Sequence, residues 1–174
     1  GVKFISSGTK AEYGDFKEKY LKSSYEYKED CAKNPNTLYG QSKNNLHKEL
    51  KRLDEGSDRT LVWTRVFDTY GPGENEKKFC SYVIKNALNN KEVLCKNPYL
   101  AMDFLHVKDI AHAYIDILDS KYIGEINISS GKSVSLKYIS EFLLNELNSI
   151  NLLRLNHDSK DQYEIYGNNQ ILMS

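Results

Sequence analysis

A tyrosine and a lysine stand four residues apart in the stretch TLYGQSK, at Tyr39 and Lys43. On a helix this spacing places both side chains on one face, about one turn apart. A free tyrosine has a pKa of about 10, and a neighbouring ammonium lowers that pKa by favouring the phenolate. A bound nicotinamide cation would lower it further. The pair could therefore exchange a proton with a sugar or alcohol oxygen while a hydride moves to or from a cofactor.

The spacing alone does not establish this chemistry, because tyrosine and lysine are both frequent in the chain. Of its 174 residues 13 are tyrosine, and the same spacing recurs at Tyr13 and Lys17. That second pair lies in a charged stretch with no helix–strand unit behind it, so we interpret it as a surface feature. For Tyr39 and Lys43, an acid–base pair and a solvated helix face both remain open at this point.

A site of this kind also needs a small hydroxyl that holds the substrate oxygen. Thr9, with Ser7 as the second choice, follows a short apolar strand. Its side chain would stand at the carboxyl edge of a sheet, where ligands bind in open α/β folds. The sequence thus predicts that a hydroxyl and an acid–base pair meet at one sheet edge.

Strands and helices alternate along the chain, which predicts an α/β fold with parallel strands. Strands are predicted at 2–7, at 60–67, which is apolar enough to be buried on both faces, and at 124–130. Helices are predicted at 37–55, 76–90, 108–120 and 135–148, the last with Ser135 as its N-cap. In helix 37–55 an apolar stripe consists of Leu38, Leu46, Leu50 and Leu53. Residues 10–36 are charged and rich in tyrosine, and we expect a surface loop with one helical turn.

Composition argues against several classes of function. The formal net charge is zero, so no long-range field recruits nucleic acid or an acidic membrane. Three cysteines without a CxxC spacing argue against a disulfide framework or a zinc knuckle, and we expect Cys80 and Cys95 in the core. The four histidines are scattered, which argues against a helical zinc site. No apolar stretch approaches the roughly 20 residues that span a bilayer, and we expect a cytoplasmic protein.

Five short motifs, in order, resemble one protein family. They are FISSGTKAEYG, LYGQSK, TRVFDTYGPGE, MDFLHVKDIAHAY and GEINISSGKSVSL, which together cover most of residues 2–140. The chain is similar in these motifs to the extended short-chain dehydrogenases/reductases, the NAD-dependent epimerase/dehydratase family of nucleotide-sugar enzymes. The resemblance favours the acid–base interpretation of Tyr39 and Lys43, and it implies NAD or NADP as cofactor and a nucleotide sugar as substrate.

The resemblance assigns roles to individual positions. Thr9 would bind the reacting sugar oxygen, Tyr39 would donate or accept the proton, and Lys43 would bind the nicotinamide ribose and tune Tyr39. Cofactor contacts are implied for Ser7, Tyr39, Lys43 and Phe67. Substrate contacts are implied for Thr9, Asp68, Met102 and His106.

Departures from the family pattern bear on the reaction. Asp68 stands where most members have asparagine, and Met102 where most have the arginine that grips the diphosphate. This combination is similar to the branch that reduces CDP-4-keto-3,6-dideoxyhexoses. The 4,6-dehydratases carry an Asp-Glu pair after the catalytic threonine, where this chain has Lys10 and Ala11. The resemblance therefore implies a 4-ketoreductase, with a 4-epimerase as the alternative.

The family's glycine-rich dinucleotide turn is missing, because none of the ten glycines forms GxxGxxG or GxGxxG. By the family pattern we expect the C-terminal part of an enzyme, inactive alone. Residues 1–70 would complete the Rossmann domain, and 71–174 would be mainly the substrate-binding region, with segments returning to the Rossmann sheet. A homodimer through helices 37–55 and 76–90 is also implied. The alternative from another class is a non-catalytic relative that serves as a binding or scaffold domain.

Overall fold

The computed structural model describes residues 2–14, 24–159 and 162–174. Within them, four helices and eleven strands follow one another. The helices are α1 (Leu38–Asp54), α2 (Phe79–Leu88), α3 (Val107–Asp119) and α4 (Leu136–Glu146). The strands are β1 (Lys3–Thr9), β2 (Ser24–Tyr27), β3 (Thr60–Val66), β4 (Asp68–Tyr70), β5 (Val93–Cys95), β6 (Ala101–Met102), β7 (Phe104–His106), β8 (Gly124–Ile128), β9 (Val134–Ser135), β10 (Leu153–Leu155) and β11 (Glu164–Gly167). The predicted α/β class with parallel strands is confirmed.

A three-stranded parallel sheet in the order β1–β3–β8 forms the centre of the fold. Thr9 pairs with Val66, which in turn pairs with Ile128, so the carboxyl ends of all three strands lie at one level. Residues 61–65 of β3 are all buried. This confirms the prediction that the strand at 60–67 is covered on both faces.

Helix α3 covers one face of this sheet with apolar side chains. Ile110, Ala113 and Ile117 of α3 pack against Val62, Ile126 and Ile128 of the strands. Burying side chains of this size contributes about 1.5–3 kcal/mol each relative to exposure. This cluster is the main hydrophobic core beneath the sheet.

Helix α1 covers the opposite face with small and polar side chains, and most of its apolar stripe lies on the outer side. The helix begins and ends where predicted, capped by the Thr37 side chain, which accepts a hydrogen bond from Gly40 N at 3.0 Å. Its buried residues are Gly40, Asn44 and His47, whereas Leu38 is 84% exposed. The strand residues that point to this face are Trp63 and Arg65, so the helix meets them with polar and small side chains.

The other elements form a smaller layer beside the sheet. Helices α2 and α4 pack on each other and on β5 around Val83, Val93 and Leu144. Four strands pair in the order β2–β11–β6–β9, and β4 pairs with β7. Helix α2 begins at Phe79 instead of residue 76, while α4 begins as predicted, with Ser135 accepting from Tyr138 N at 3.1 Å. Strand β8 pairs with β3 in the central sheet, and the predicted division into domains at residues 70 and 71 stays a prediction.

The segment 10–36 contains more regular structure than the sequence predicted. A short 3₁₀ turn, Lys10–Glu12, follows β1, and β2 joins the second sheet beside β11. Tyr13 is buried and stacks on Tyr27 with ring centroids 4.7 Å apart. Lys17, the other member of the second Tyr/Lys pair, lies outside the described residues.

Candidate active site at the carboxyl edge of the sheet

An open cleft of about 780 Å³ lies where β1 and β3 end. Side chains from the ends of these strands, from the start of α1 and from α3 line it. They include Ser7, Thr9, Lys10, Tyr39, Phe67, Asp68 and Tyr114. Three of the four predicted cofactor residues, Ser7, Tyr39 and Phe67, therefore share one cavity, at the edge where open α/β sheets bind ligands.

The Thr9 hydroxyl is fixed by its position at the end of β1. Thr9 is only 8% exposed and caps the 3₁₀ turn, where its hydroxyl oxygen accepts from Ala11 N at 3.3 Å. Its backbone N donates to Glu12 Oε1 at 2.8 Å, which completes a reciprocal capping box. Because the hydroxyl accepts from the backbone, its own proton is available to a substrate oxygen.

Tyr39 and Lys43 stand on the first turns of α1, beside the end of β1. Tyr39 is 57% exposed and lines the cleft, so its phenol can reach a bound molecule. Lys43 Nζ donates to the backbone oxygen of Ser7 at 2.9 Å. The ammonium is therefore held at the end of β1, on the backbone of a residue two positions before Thr9.

The Ser7 hydroxyl already has a partner within the protein. Tyr114 of α3 donates to Ser7 Oγ at 2.9 Å, and the Tyr114 oxygen lies 2.6 Å from Thr64 Oγ1. Tyr114 was missed by sequence reasoning, and only its place in the HAY stretch of the fourth motif could have indicated it. Because the Ser7 hydroxyl belongs to this row of hydrogen bonds, the Thr9 hydroxyl is the more available of the two to a ligand.

Phe67 and Asp68 form the wall of the cleft after β3. Phe67 is 4% exposed and packs with Tyr13 and Tyr27, so only part of its ring can face a ligand. The Asp68 carboxylate forms an ion pair with the ammonium of Lys10. Asp68 and Lys10, both singled out by the sequence as departures from related patterns, therefore pair with each other, and the Lys10 charge offsets the added carboxylate.

Met102 and His106 lie apart from the main cleft. Met102 lines an adjoining cavity of about 200 Å³, which shares Lys10 and Ala11 with the cleft. His106 lines neither of these two cavities. Its ring packs edge-on against Tyr70, and its Nδ1 accepts from Lys108 N at 3.2 Å at the start of α3. Substrate contacts for Met102 and His106 stay predictions.

Asp103, which follows Met102 in the chain, connects three segments beside the cleft through its carboxylate. Its carboxylate accepts hydrogen bonds from Ser130 N at 2.8 Å, from Gly131 N at 3.1 Å and from Gly167 N at 3.2 Å. Burial raises the pKa of the Asp103 carboxyl, and the hydrogen bonds act in the opposite direction. The aspartate of the fourth motif therefore ties β7, the loop after β8 and β11 together, beside the cleft.

The polar groups around the cleft bear on the ligands that it could bind. The Tyr39 phenol and the Ser7 and Thr9 hydroxyls line it, and the Lys43 ammonium is held beside them on the Ser7 backbone oxygen. In the described ranges no strand runs through a glycine-rich turn into a helix N-terminus, the arrangement that binds a pyrophosphate. The described residues also contain no cluster of three His, Cys, Asp or Glu side chains that could bind a metal. No helix among them is long and apolar enough to cross a bilayer.

Comparison with known proteins identifies relatives of this arrangement. A CDP-abequose synthase of Salmonella typhimurium is 34% identical over 52% of this chain and 32% of its own length. The UDP-N-acetylglucosamine 4-epimerase of Methanobrevibacter ruminantium, in complex with UDP-N-acetylmuramic acid, is 25% identical with a TM-score of 0.85, over 98% of this chain and 55% of that one. A dTDP-glucose 4,6-dehydratase of Bacillus anthracis in complex with NAD, 21% identical, shares the fold with a TM-score of 0.81, over 98% and 54%.

The chain spans about a third of the length of the curated relative and about half of each solved structure. Residues 1–129, which include the central sheet and the cleft, match the NAD dependent epimerase/dehydratase family. This match extends over more than half of the chain. The chain belongs to the NAD dependent epimerase/dehydratase family.

Proposed function

We propose that the protein is an NAD(P)-dependent oxidoreductase that acts at C4 of a nucleotide-activated sugar, as a 4-ketoreductase. The observation that carries this proposal is the meeting of Thr9, Tyr39 and Lys43 at the carboxyl ends of β1 and β3. A nicotinamide cofactor would supply or accept the hydride there. The residues of this chain supply the proton transfer and hold the sugar oxygen.

Each of the three side chains has a role that its geometry supports. The Thr9 hydroxyl, which accepts from Ala11 N, keeps its proton for the sugar oxygen. The exposed Tyr39 phenol delivers a proton to the same oxygen as it gains charge. The Lys43 ammonium, held on the Ser7 oxygen, favours the phenolate that remains.

The residues after Thr9 argue against water elimination. A dehydratase needs an acid and a base beside the sugar, whereas Ala11 has no titratable group and Lys10 is engaged with Asp68. A reductase or an epimerase needs neither group. The CDP-abequose synthase relatives support the reductase, and a 4-epimerase of the same family is the second candidate.

A homodimer through α1 is part of the proposal. Leu38, Leu46 and Leu53 lie on the outer side of this helix and are 84%, 43% and 56% exposed. Leucines at this spacing form an apolar stripe that a second copy of the helix would cover. The other predicted helix, α2, packs on α4, and its exposed apolar residues are Ile84 and Leu88.

The test is product analysis with the protein made from its complete gene, supplied with a nucleotide 4-keto sugar and NADH or NADPH. A reductase consumes one cofactor per sugar and forms the 4-hydroxy product. An epimerase inverts C4 of a nucleotide sugar without net consumption of the cofactor. Calorimetry that detects no dinucleotide binding, together with no product, would contradict both and support a binding or scaffold domain.

A further inference from the structure

A group of charged and aromatic side chains is buried directly behind the Thr9 turn. We call it the Arg65 cluster; its members are Glu12, His47, Trp63, Arg65 and Glu125. Glu12, Trp63 and Arg65 have no solvent exposure at all. Isolated charges at such depth are very costly, so each must be paired.

Arg65 pairs with two carboxylates through different nitrogens of its guanidinium. Its Nε donates to Glu12 Oε2 at 2.9 Å, and its Nη1 lies 2.7 Å from Glu125 Oε2. The His47 ring stacks on Trp63 with centroids 4.6 Å apart, and its Nδ1 lies 3.5 Å from Arg65 Nη2. The cluster therefore joins the turn after β1, the strands β3 and β8, and helix α1.

The Glu12 carboxylate is the member that reaches the proposed active site. One of its oxygens accepts from Thr9 N at 2.8 Å, and the other accepts from Trp63 Nε1 at 3.0 Å and from Arg65 Nε. Every neighbour is a donor, so only an acceptor with two oxygens satisfies all of them. A glutamine would turn its NH₂ group toward at least one donor, whichever way the amide is oriented.

Two glycines allow this close arrangement. A Cβ on Gly8 would lie 2.4 Å from Glu12 Oε1 and 2.4 Å from Trp63 Nε1. A Cβ on Gly40, the residue after Tyr39, would lie 2.4 Å from the backbone oxygen of Ala11. The start of α1 therefore rests on the same turn that Glu12 holds from behind.

We infer that Glu12 is a positioning residue, whose buried carboxylate fixes the Thr9–Ala11 turn so that the Thr9 hydroxyl and the Tyr39 phenol face one substrate oxygen. Glu12 acts through its hydrogen bond from Thr9 N and through the close contact between the Thr9–Ala11 turn and Gly40 of α1. It does not line the cleft itself. The inference rests on the proposed function for the identity of the reacting oxygen, but the geometry of the turn stands independently.

The experiment compares two matched variants, Glu12→Gln and Glu125→Gln, in the protein made from its complete gene. Each variant neutralises one carboxylate that pairs with the same Arg65 guanidinium, so both lower the Tm. Only Glu12→Gln disturbs the Thr9 turn. We expect it to lower kcat by about 10- to 100-fold with little change in KM or dinucleotide binding, because small displacements of reacting groups have effects of this size. Glu125→Gln keeps kcat close to the wild-type value.

Two NMR signals test the geometry without reference to activity. The Trp63 indole N–H and the Thr9 backbone N–H both donate to Glu12. In Glu12→Gln, both resonances should shift and the Thr9 amide should exchange faster with solvent, whereas in Glu125→Gln both should stay near their wild-type positions. Trp63→Phe assigns the indole signal.

The possible results separate the two proposals. A wild-type protein without turnover contradicts the proposed function, and the NMR comparison then decides the role of Glu12. Equal losses of kcat in both variants would overturn the inference. Unmoved Thr9 and Trp63 signals in Glu12→Gln would also overturn it, since Glu12 would then be only a charge partner of Arg65.

Discussion

The two faces of the central sheet are built from different chemistry. Toward α3, the strands present Val62, Ile126 and Ile128, which pack on an apolar helix face. Toward α1, β3 presents Trp63 and Arg65, which meet the polar members of the Arg65 cluster. The face toward α3 is stabilised by burial of apolar area. The face toward α1 buries polar and charged groups, whose desolvation costs free energy, and it gains directed hydrogen bonds and ion pairs instead.

The difference follows from what each helix has to hold. Helix α3 lines one side of the cleft with Val107, Ile110 and Tyr114 and otherwise supports the sheet. Helix α1 carries Tyr39 and Lys43 and must sit at a defined distance from the Thr9 turn. Hydrogen bonds and ion pairs have fixed directions, so the α1 face can set that position more closely than apolar packing can.

The largest effect is expected when the charged face loses its central group. Arg65→Ala leaves Glu12 buried without its cation, and we expect a loss of about 3–5 kcal/mol in the free energy of unfolding. Urea denaturation measures it. The double variant Glu12→Leu with Arg65→Met removes both charges and should unfold much closer to the wild-type midpoint. A single variant as stable as the double one would contradict the buried pair.

The next effect concerns the contact between α1 and the Thr9 turn. Gly40→Ala places a methyl group against the backbone oxygen of Ala11, and we expect a loss of roughly 1–3 kcal/mol and a lower kcat. Helix propensity alone predicts the opposite sign, a gain of up to about 1 kcal/mol. Asn45→Ala, at an exposed position of the same helix, is the control. Thermal unfolding that shows a more stable Gly40→Ala protein would rule out the close approach.

A smaller effect is expected on the apolar face. Ile128→Val removes one methyl group from a side chain without solvent exposure, and we expect a loss of about 0.5–1.5 kcal/mol. The cleft contains no atom of Ile128, so kcat and KM should keep their wild-type values. A change in kcat comparable with that of Gly40→Ala would mean that both faces position the site.

The smallest effect is a pH dependence that the charged face alone should show. Burial lowers the pKa of His47 below its usual 6.5, and the Arg65 charge acts in the same direction against the attraction of Glu125 and Glu12. As the pH falls below 6.5, the His47 side chain binds a proton in the unfolded chain before it does so in the folded protein. The free energy of unfolding therefore decreases as the pH falls through the usual pKa of histidine. Urea midpoints between about pH 7.5 and 6 measure this loss. His47→Gln should flatten the profile, and an unchanged slope would assign the proton to another group.

Sequence patterns predicted well what depends on neighbouring residues. The start of the helix at residue 37, the cap at Ser135, the doubly buried strand β3 and the burial of Cys80 and Cys95 all follow from local chemistry, and the structure confirms them. Alternation of strands and helices also predicted the fold class. These features need no knowledge of distant contacts.

The sequence could not reveal features that depend on distant residues. From the sequence, Glu12 is indistinguishable from the other charged residues of its surface loop, because its partners Trp63 and Arg65 come more than fifty positions later. The leucines of α1 indicated an apolar stripe, but nothing local shows that the facing strand carries Arg65 and that Leu38, Leu46 and Leu53 therefore lie on the outer side. Strands β2 and β11 pair across the length of the chain, so β2 looked like a loop.

The most direct test of the account is the turnover of a nucleotide 4-keto sugar by wild type and Tyr39→Phe, both made from the complete gene. The substitution removes only the phenol oxygen, at an exposed position that the fold does not use. We expect kcat to fall by about 10²- to 10⁴-fold while calorimetry finds dinucleotide binding close to wild type. A Tyr39→Phe protein that keeps most of its kcat would contradict the assignment of this cleft as the active site.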